Sequence, residues 1–532
     1  MTRLCIAFVS LIVALFAVPQ TGRSQAPAGV QPPPPAGHMK DPRFAPIQQI
    51  ELSCGSCHRL NAAVFKVTDV SVLSLRNEYK LWETSDLHKQ AYKALSTPLG
   101  EQISKNLYRG DAKAAAKKAD CLVCHATDGA PGAPLSAEIP DRFFCEMGVN
   151  CQACHGPSNE WDATHWKVEQ WRKLTAPEKE KTGLVDLRHP RRRAEKCVSC
   201  HVGSKAENKF VTHEMYAAGH PPLPPFELAT FSRDEPRHWL PPSEFPIIRD
   251  LDPTVAWERY GYRKGENEAA RLAAVGAVVA LRESVNLLGF TADPAKPAER
   301  LDFAHFNCAA CHHDLRLPAA RQANGYPGVP GRPVPTTWPV WAVEAVLRHA
   351  GQGQGGEVRK KFEAGYGALR QEFDRVPFGD RAAVVKQAEE VRKACDDLLA
   401  ALDSTEFDAA AADALVRELA AAAGAKPLGR RDYLDADGAG HLARAAAAVR
   451  HPAKVAADGK PPESAPAFTD GPFKLLAETI GLTARDAYLN TKLLQDDGTF
   501  GKRVKRAADY EANPADVRNA LRVLEKPSRE TR

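Results

Sequence analysis

The chain has 532 residues, enough for more than one domain, with 44% hydrophobic and 26% charged residues and a formal charge of +5. So small an excess of positive charge is no ground for a nucleic-acid partner. Beyond the first residues, no continuous apolar stretch reaches the length of a membrane-spanning helix.

At the start, Arg3 precedes an apolar run from Leu4 to Val18, followed by small and polar residues through Ser24-Gln25-Ala26. This predicts a secretory signal peptide over residues 1–26 and an exported, periplasmic protein. The run is short for a membrane span, so an uncleaved anchor is the lesser alternative. Residues 27–49, rich in Gln, Pro and Gly, read as a flexible leader.

From residue 50 to about 320 the chain carries five copies of Cys-x-x-Cys-His. They are Cys54/Cys57/His58, Cys121/Cys124/His125, Cys151/Cys154/His155, Cys197/Cys200/His201 and Cys308/Cys311/His312. In this spacing two thiols can add across the vinyl groups of one haem, and the following histidine becomes the proximal iron ligand. Chance supplies about 0.01 such motifs in a chain of this composition. A zinc ribbon has no use for a histidine after every second cysteine, and a thioredoxin-like pair occurs once, not five times. Nor would a disulfide framework repeat one short spacing. The expected cofactor is therefore haem c, five copies, covalently attached. Cys5, Cys145 and Cys395 fit no such pattern and read as ordinary small side chains.

Haem also changes the charge account. Each ring brings two propionates, partly offset by ferric iron, so the loaded protein is about neutral when oxidised and about five charges more negative when reduced. The cluster Arg188, Arg191, Arg192, Arg193 stands just before the fourth motif. It is either a solvated face or a set of propionate partners. Between the fourth and fifth motifs, apolar residues recur at helical spacing from Glu266 to Leu288. Strand signals are sparse. The expected fold is mostly α, an irregular multihaem cytochrome c fold wrapped around about five haems, followed by a helical C-terminal region.

A Pro/Gly-rich connector over 321–338 leads into residues 339–532, which carry no haem motif. There, Lys360 to Leu402, Ala409 to Ala423 and Leu482 to Leu494 have helical composition and periodicity. This third reads as a helical appendage for docking or for covering haem surface, or as a spacer.

The chemistry depends on the sixth iron ligand. Twelve histidines lie outside the proximal positions: His38, His88, His165, His189, His213, His220, His238, His305, His313, His349, His441 and His451. The supply suffices to close all five irons. After the signal peptide only Met39, Met147 and Met215 remain, so bis-histidine ligation is expected, with lower potentials than His/Met ligation gives.

Two segments resemble the cytochrome c554 (c-552/4) multihaem family. One is Gly148-Val-Asn-Cys151-Gln-Ala-Cys154-His155-Gly-Pro157; the other is Cys197-Val-Ser-Cys200-His201-Val-Gly203 with Met215-Tyr-Ala-Ala-Gly-His220-Pro221. The resemblance covers roughly residues 50–315. It implies a mostly α, haem-packed fold, periplasmic electron transfer, and distal-ligand positions at His220 and at His88. His165, after the third motif, and His213, seven residues before His220, are further candidates. His305 and His313 flank the fifth motif, and of these His305 joins the ligand set. The fifth motif and the C-terminal third depart from the four-haem pattern of the family, so a particular partner is not implied.

Two functions follow. The first is an electron carrier between a redox donor and a redox acceptor, membrane-associated partners included. The alternative is a multihaem oxidoreductase acting on a small nitrogen or sulfur compound at one five-coordinate haem. No Cys-x-x-Cys-Lys motif occurs, five haems fall short of the eight in hydroxylamine-oxidising enzymes, and no other catalytic constellation is visible. The electron carrier is the preferred reading, with no catalytic residues assigned.

Overall fold

The computed structural model describes residues 54–59, 74–127, 147–295, 301–313, 338–350, 355–424 and 434–450, with short pieces between 317 and 336 and at 519–521. The expected signal peptide, the leader, Cys145 and the helical stretch Leu482–Leu494 lie outside these residues. Among the described residues every regular element is helical, and β-pairing is confined to isolated bridges at Ser204–Lys209 and Phe306–Pro335. The mostly α expectation holds.

Ten described helices have eight residues or more: α1 (Glu78–Ser85), α2 (Pro98–Leu107), α3 (Pro190–His201), α4 (Pro253–Tyr260), α5 (Glu268–Ala292), α6 (Trp338–Ala350), α7 (Gly355–Arg375), α8 (Arg381–Ser404), α9 (Ala409–Gly424) and α10 (Ala436–Arg450). Their starts are written locally. Thr97 Oγ1 caps α2 by accepting from Gly100 N at 3.1 Å, with Pro98 at the first helical position. Asn267 Oδ1 caps α5 by accepting from Ala270 N at 3.0 Å. The stretch expected as helical from Lys360 to Leu402 divides in two. Pro377 halts α7, Phe378 (φ 64°) and Gly379 (φ 73°) turn the chain, and Asp380 caps α8 through Ala383 N at 2.9 Å.

Helix α5 is the axis of the molecule. Every residue from Ala270 to Leu281 is buried, so the helix is covered all round rather than amphipathic as its spacing suggests. Helix α3 and the short helix Leu228–Asp234 pack on it, as do α6, α8 and α10 from the C-terminal third. By length and composition α5 could cross a membrane, but 72% of its most apolar stretch is buried in protein. The approach of Leu228 is close enough to require Gly276, where a Cβ would stand 2.5 Å from the Leu228 Cβ.

The sequence separates two regions at the connector, yet one apolar core runs through both. It extends from Ala194 and Val198 of α3, through α5, to Leu398 of α8, Leu415 of α9 and Leu442 of α10. The connector is itself tied down, since Thr336 N donates to His305 O at 2.8 Å. A polar clasp closes the far end of α5. There the buried Arg271 guanidinium donates to Leu402 O (2.8 Å) and Thr405 O (2.7 Å), pairs with Glu266, and lies against the Trp257 and Phe407 rings. Around the first three motifs, by contrast, the described residues form small apolar clusters, such as Tyr79, Trp82 and Met147. They wall a cavity.

Candidate haem centre

The first four motifs each end a helix: Gly55–His58, Ala119–His125, Cys151–His155 and α3. Helical geometry places the two cysteines three residues apart, with the histidine four from the first, on one face, so sulfurs and imidazole point the same way. The fifth differs. Its Cys308–Ala310 segment is a single 3-10 turn, and Cys308, Cys311 and His312 are exposed. The third motif is held against the turn carrying His88, because Val149 N donates to His88 O at 3.0 Å. Gly148 permits this contact: its φ is +62°, and a Cβ there would come within 2.6 Å of that carbonyl oxygen.

A cavity of about 1680 Å³ opens between these segments, lined by cysteines of the first four motifs and by His58, His88, His155, His165, His201 and His238. It exceeds the roughly 300–1,000 Å³ of ordinary small-molecule sites. Neighbouring sulfurs give the order in which the motifs adjoin. Burial raises the Cys151 thiol to about 12, and the nearby Cys54 adds to the rise. Cys154 is likewise raised well above its usual value by burial, with Cys197 contributing, and Cys124 and Cys200 share a hydrogen bond. With haem attached at these motifs, the sulfurs would be thioethers. The motifs therefore adjoin in the order first, third, fourth, second.

Across the centre, four proximal-type histidines each face a second histidine ring. The centroid separations are 6.3 Å for His58–His165, 6.3 Å for His88–His201, 6.4 Å for His125–His220 and 6.4 Å for His155–His238. Two metal–imidazole bonds of about 2.0–2.1 Å, with about 1.1 Å from each nitrogen to its ring centre, span about 6.3 Å. The donor set, two sulfurs and a histidine per motif with a histidine opposite, fits haem c. The first pair has nearly parallel rings, 18° apart, whereas the other three lie at 74–86°.

In six of these eight histidines the outward ring nitrogen is also engaged, which fixes tautomer and orientation. His58 Nδ1 meets Glu78 Oε2 at 2.8 Å and His88 Nδ1 meets Asp86 Oδ1 at 3.0 Å. Backbone carbonyls serve the others: Ala91 O for His125 (2.8 Å), Pro221 O for His220 (2.8 Å), Asp162 O for His165 (2.9 Å) and Pro236 O for His238 (3.2 Å). Burial, and then the neighbouring His88, lowers His201 to about 3. Burial with His238 lowers His155 to about 4, and burial with His125 lowers His220 to about 4. These rings are neutral at pH 7, the form that binds a metal. Burial also disfavours charge on His88, but the Asp86 hydrogen bond and charge outweigh it and raise His88 to about 9. Asp86, His88 and Glu235 lie within 4.8 Å of one another. Since His88 faces His201, the two carboxylates back one histidine rather than forming a separate metal site.

Of the distal candidates read from the sequence, His88, His165 and His220 stand opposite His201, His58 and His125. His213 and His305 lie elsewhere, beside the fifth motif. His213 packs on Phe303 at 5.6 Å, and His305 lines a small cavity of about 90 Å³ with Cys308 and Asn307. The ring opposite His155 is His238, which sequence reasoning did not select. Its surroundings, Pro236-Arg237-His238-Trp239, carry no ligand signature. The arginine cluster splits: Arg188 and Arg193 line the cavity, while Arg191 and Arg192 pair with Glu195 and Glu180. Arg444 of α10 also reaches the cavity wall.

Residues 53–156 match the family described as cytochrome c554 and c-prime. The chain is also 22% identical over 149 residues to cytochrome c-554 of Nitrosomonas europaea, a match covering 28% of this chain and 55% of that protein. No solved structure matches.

Proposed function

With the cytochrome c554 family supported for residues 53–156, we propose that this protein is an exported pentahaem c-type cytochrome that carries electrons between a redox donor and acceptor. One observation carries the reading: four motif histidines each face a second histidine at the spacing of two axial ligands. Cys54 and Cys57, Cys121 and Cys124, Cys151 and Cys154, and Cys197 and Cys200 would hold one haem each. His58/His165, His125/His220, His155/His238 and His201/His88 would supply the axial ligands. Cys308, Cys311 and His312 would hold the fifth. Haem, when bound, supplies a one-electron iron couple. The residues around it bury the imidazoles, fix their orientation and set a histidine at both axial positions, which suits electron transfer rather than substrate binding.

The alternative, an oxidoreductase acting on a small nitrogen or sulfur compound, falls on the fifth motif, which stands outside the large cavity with Cys308, Cys311 and His312 exposed. Haem quantification with low-temperature EPR of the oxidised holoprotein tests both. Five haems per chain with low-spin signals only are expected. A high-spin signal from one haem that shifts on adding nitric oxide or hydroxylamine would favour the enzyme, and fewer than four bis-histidine sites would overturn the ligation.

A further inference from the structure

The four histidine pairs differ in what stands behind them. In the first pair the backing group is a built carboxylate. Glu78 Oε1 accepts from Ser74 Oγ and from Leu75 N, both at 2.7 Å, which leaves Oε2 for His58 Nδ1 at 2.8 Å. In the pair at the fourth motif, Asp86 is only 7% exposed, and its Oδ1 accepts from both His88 N (2.9 Å) and His88 Nδ1 (3.0 Å). Among the described residues, the hydrogen-bonded groups behind the pairs at the second and third motifs are neutral carbonyls: Ala91 O and Pro221 O for one, Pro236 O on His238 for the other.

The distinction has a direct electronic consequence. A carboxylate that accepts a hydrogen bond from Nδ1–H gives the imidazole partial imidazolate character, making it a stronger donor to iron, and it places a full negative charge beside the site. Both effects favour the oxidised iron. A carbonyl orients the ring but contributes only a dipole. Other charges do not cancel the difference. Near His58, Asp162 adds to Glu78 and Arg76 opposes them; near His88, Glu235 adds to Asp86. Near His155, Asp186 is offset by Arg188.

Resting on the bis-histidine reading above, we propose that Glu78 and Asp86 set potentials. They hold the haems of the first and fourth motifs lower than those of the second and third. Because the motifs adjoin in the order first, third, fourth, second, low and high sites alternate along the chain of centres.

The ring planes provide the assignment. Ring orientation fixes the axial π-donor directions and hence the splitting of the iron d orbitals, so the near-parallel His58/His165 pair gives a low-spin ferric EPR signal distinct from the near-perpendicular pairs. The experiment is an EPR-monitored redox titration of the five-haem holoprotein, wild type beside Glu78→Gln and Asp86→Asn. In the wild type the near-parallel signal is expected to be reduced among the lower-potential centres. Glu78→Gln should favour reduction of that centre by about tenfold, about 59 mV for a one-electron couple, and leave the others in place. Asp86→Asn should do the same to one near-perpendicular signal. Unchanged or lowered potentials in variants that keep their low-spin signals would overturn the proposal. So would a wild-type near-parallel signal that is reduced first, and that result decides even if a variant fails to take up haem. High-spin signals in place of the four low-spin ones would instead sink the ligation reading.

Discussion

At the scale of single residues, the least expected is His238. Its ring stands 6.4 Å from His155, and its Nδ1 is held by Pro236 O. Replacing it by alanine should leave four haems unaltered and turn one low-spin EPR signal into a high-spin one, with haem content unchanged. An unaltered spectrum would remove His238 from the ligand set. The proximal histidines were legible because attachment chemistry fixes their spacing to two cysteines. A distal histidine answers only to a position in space, so His238 has no local pattern. His213 and His305 stand beside the fifth motif rather than opposite one of the four paired histidines. A second residue-scale case is Asp186, buried on the cavity wall between Lys179 Nζ (3.0 Å) and Arg188 Nε (2.9 Å). Burial alone would raise its pKa, but the two cations hold it well below the usual 3.8. A carboxylate depressed on folding contributes stability that is complete above its unfolded value and lost as pH falls below it. Urea unfolding between pH 5 and 2.5 should therefore show stability falling with pH, and Asp186→Asn should flatten that fall. The same variant leaves Lys179 buried without its counter-ion, at a cost of about 3–5 kcal/mol at pH 7. An equal pH slope in both proteins would rule out this linkage.

At the scale of elements, α5 was visible from its spacing, but its environment was not. Periodicity reports one apolar face. It cannot report that alanine-rich faces such as Ala273, Ala277 and Ala280 are covered by helices that come more than forty residues later. The break between α7 and α8 was readable in principle from Pro377-Phe378-Gly379, but long runs of good helix formers on both sides mask a five-residue turn. The clasp at Arg271 ties α5 to the end of α8 through two carbonyls, one carboxylate and two aromatic faces. Arg271→Ala should cost about 3–5 kcal/mol, since it strips Glu266 of its paired guanidinium and takes one donor from each carbonyl. Lysine should not restore the loss, because a single ammonium cannot reach both carbonyls in a planar fork or stack between the rings. Thermal unfolding of the holoprotein, followed by helical circular dichroism, measures it. A change within 0.5 kcal/mol, the range typical of surface substitutions, would show that the clasp is incidental.

At the scale of the whole molecule, the question is whether the haem region stands alone. Composition divides the chain at the Pro/Gly-rich connector, because motifs stop there and alanine-rich helices begin. Buried surface divides it differently. Val278, Val279 and Leu281 of α5 belong to one core with Val343 of α6, Leu399 of α8 and Ala446 of α10, all 1% exposed or less. A chain ending at residue 336 would keep α5 and lose α6, α8 and α10, which cover its buried side chains. An apolar 25-residue helix left uncovered in water is an aggregation surface. The haem-motif clusters cannot compensate, since the largest of them, around Tyr92, Leu95 and Leu122, buries only six residues. The truncated protein should therefore be recovered as aggregate, or should be cut rapidly within α5 by a protease that leaves the full chain intact. A soluble, monomeric, five-haem fragment with the thermal stability of the full chain would show instead that the two regions fold independently. The expected failure has a structural counterpart: with Arg444 of α10 at the cavity wall, the C-terminal third contributes to the container in which the paired histidines are set.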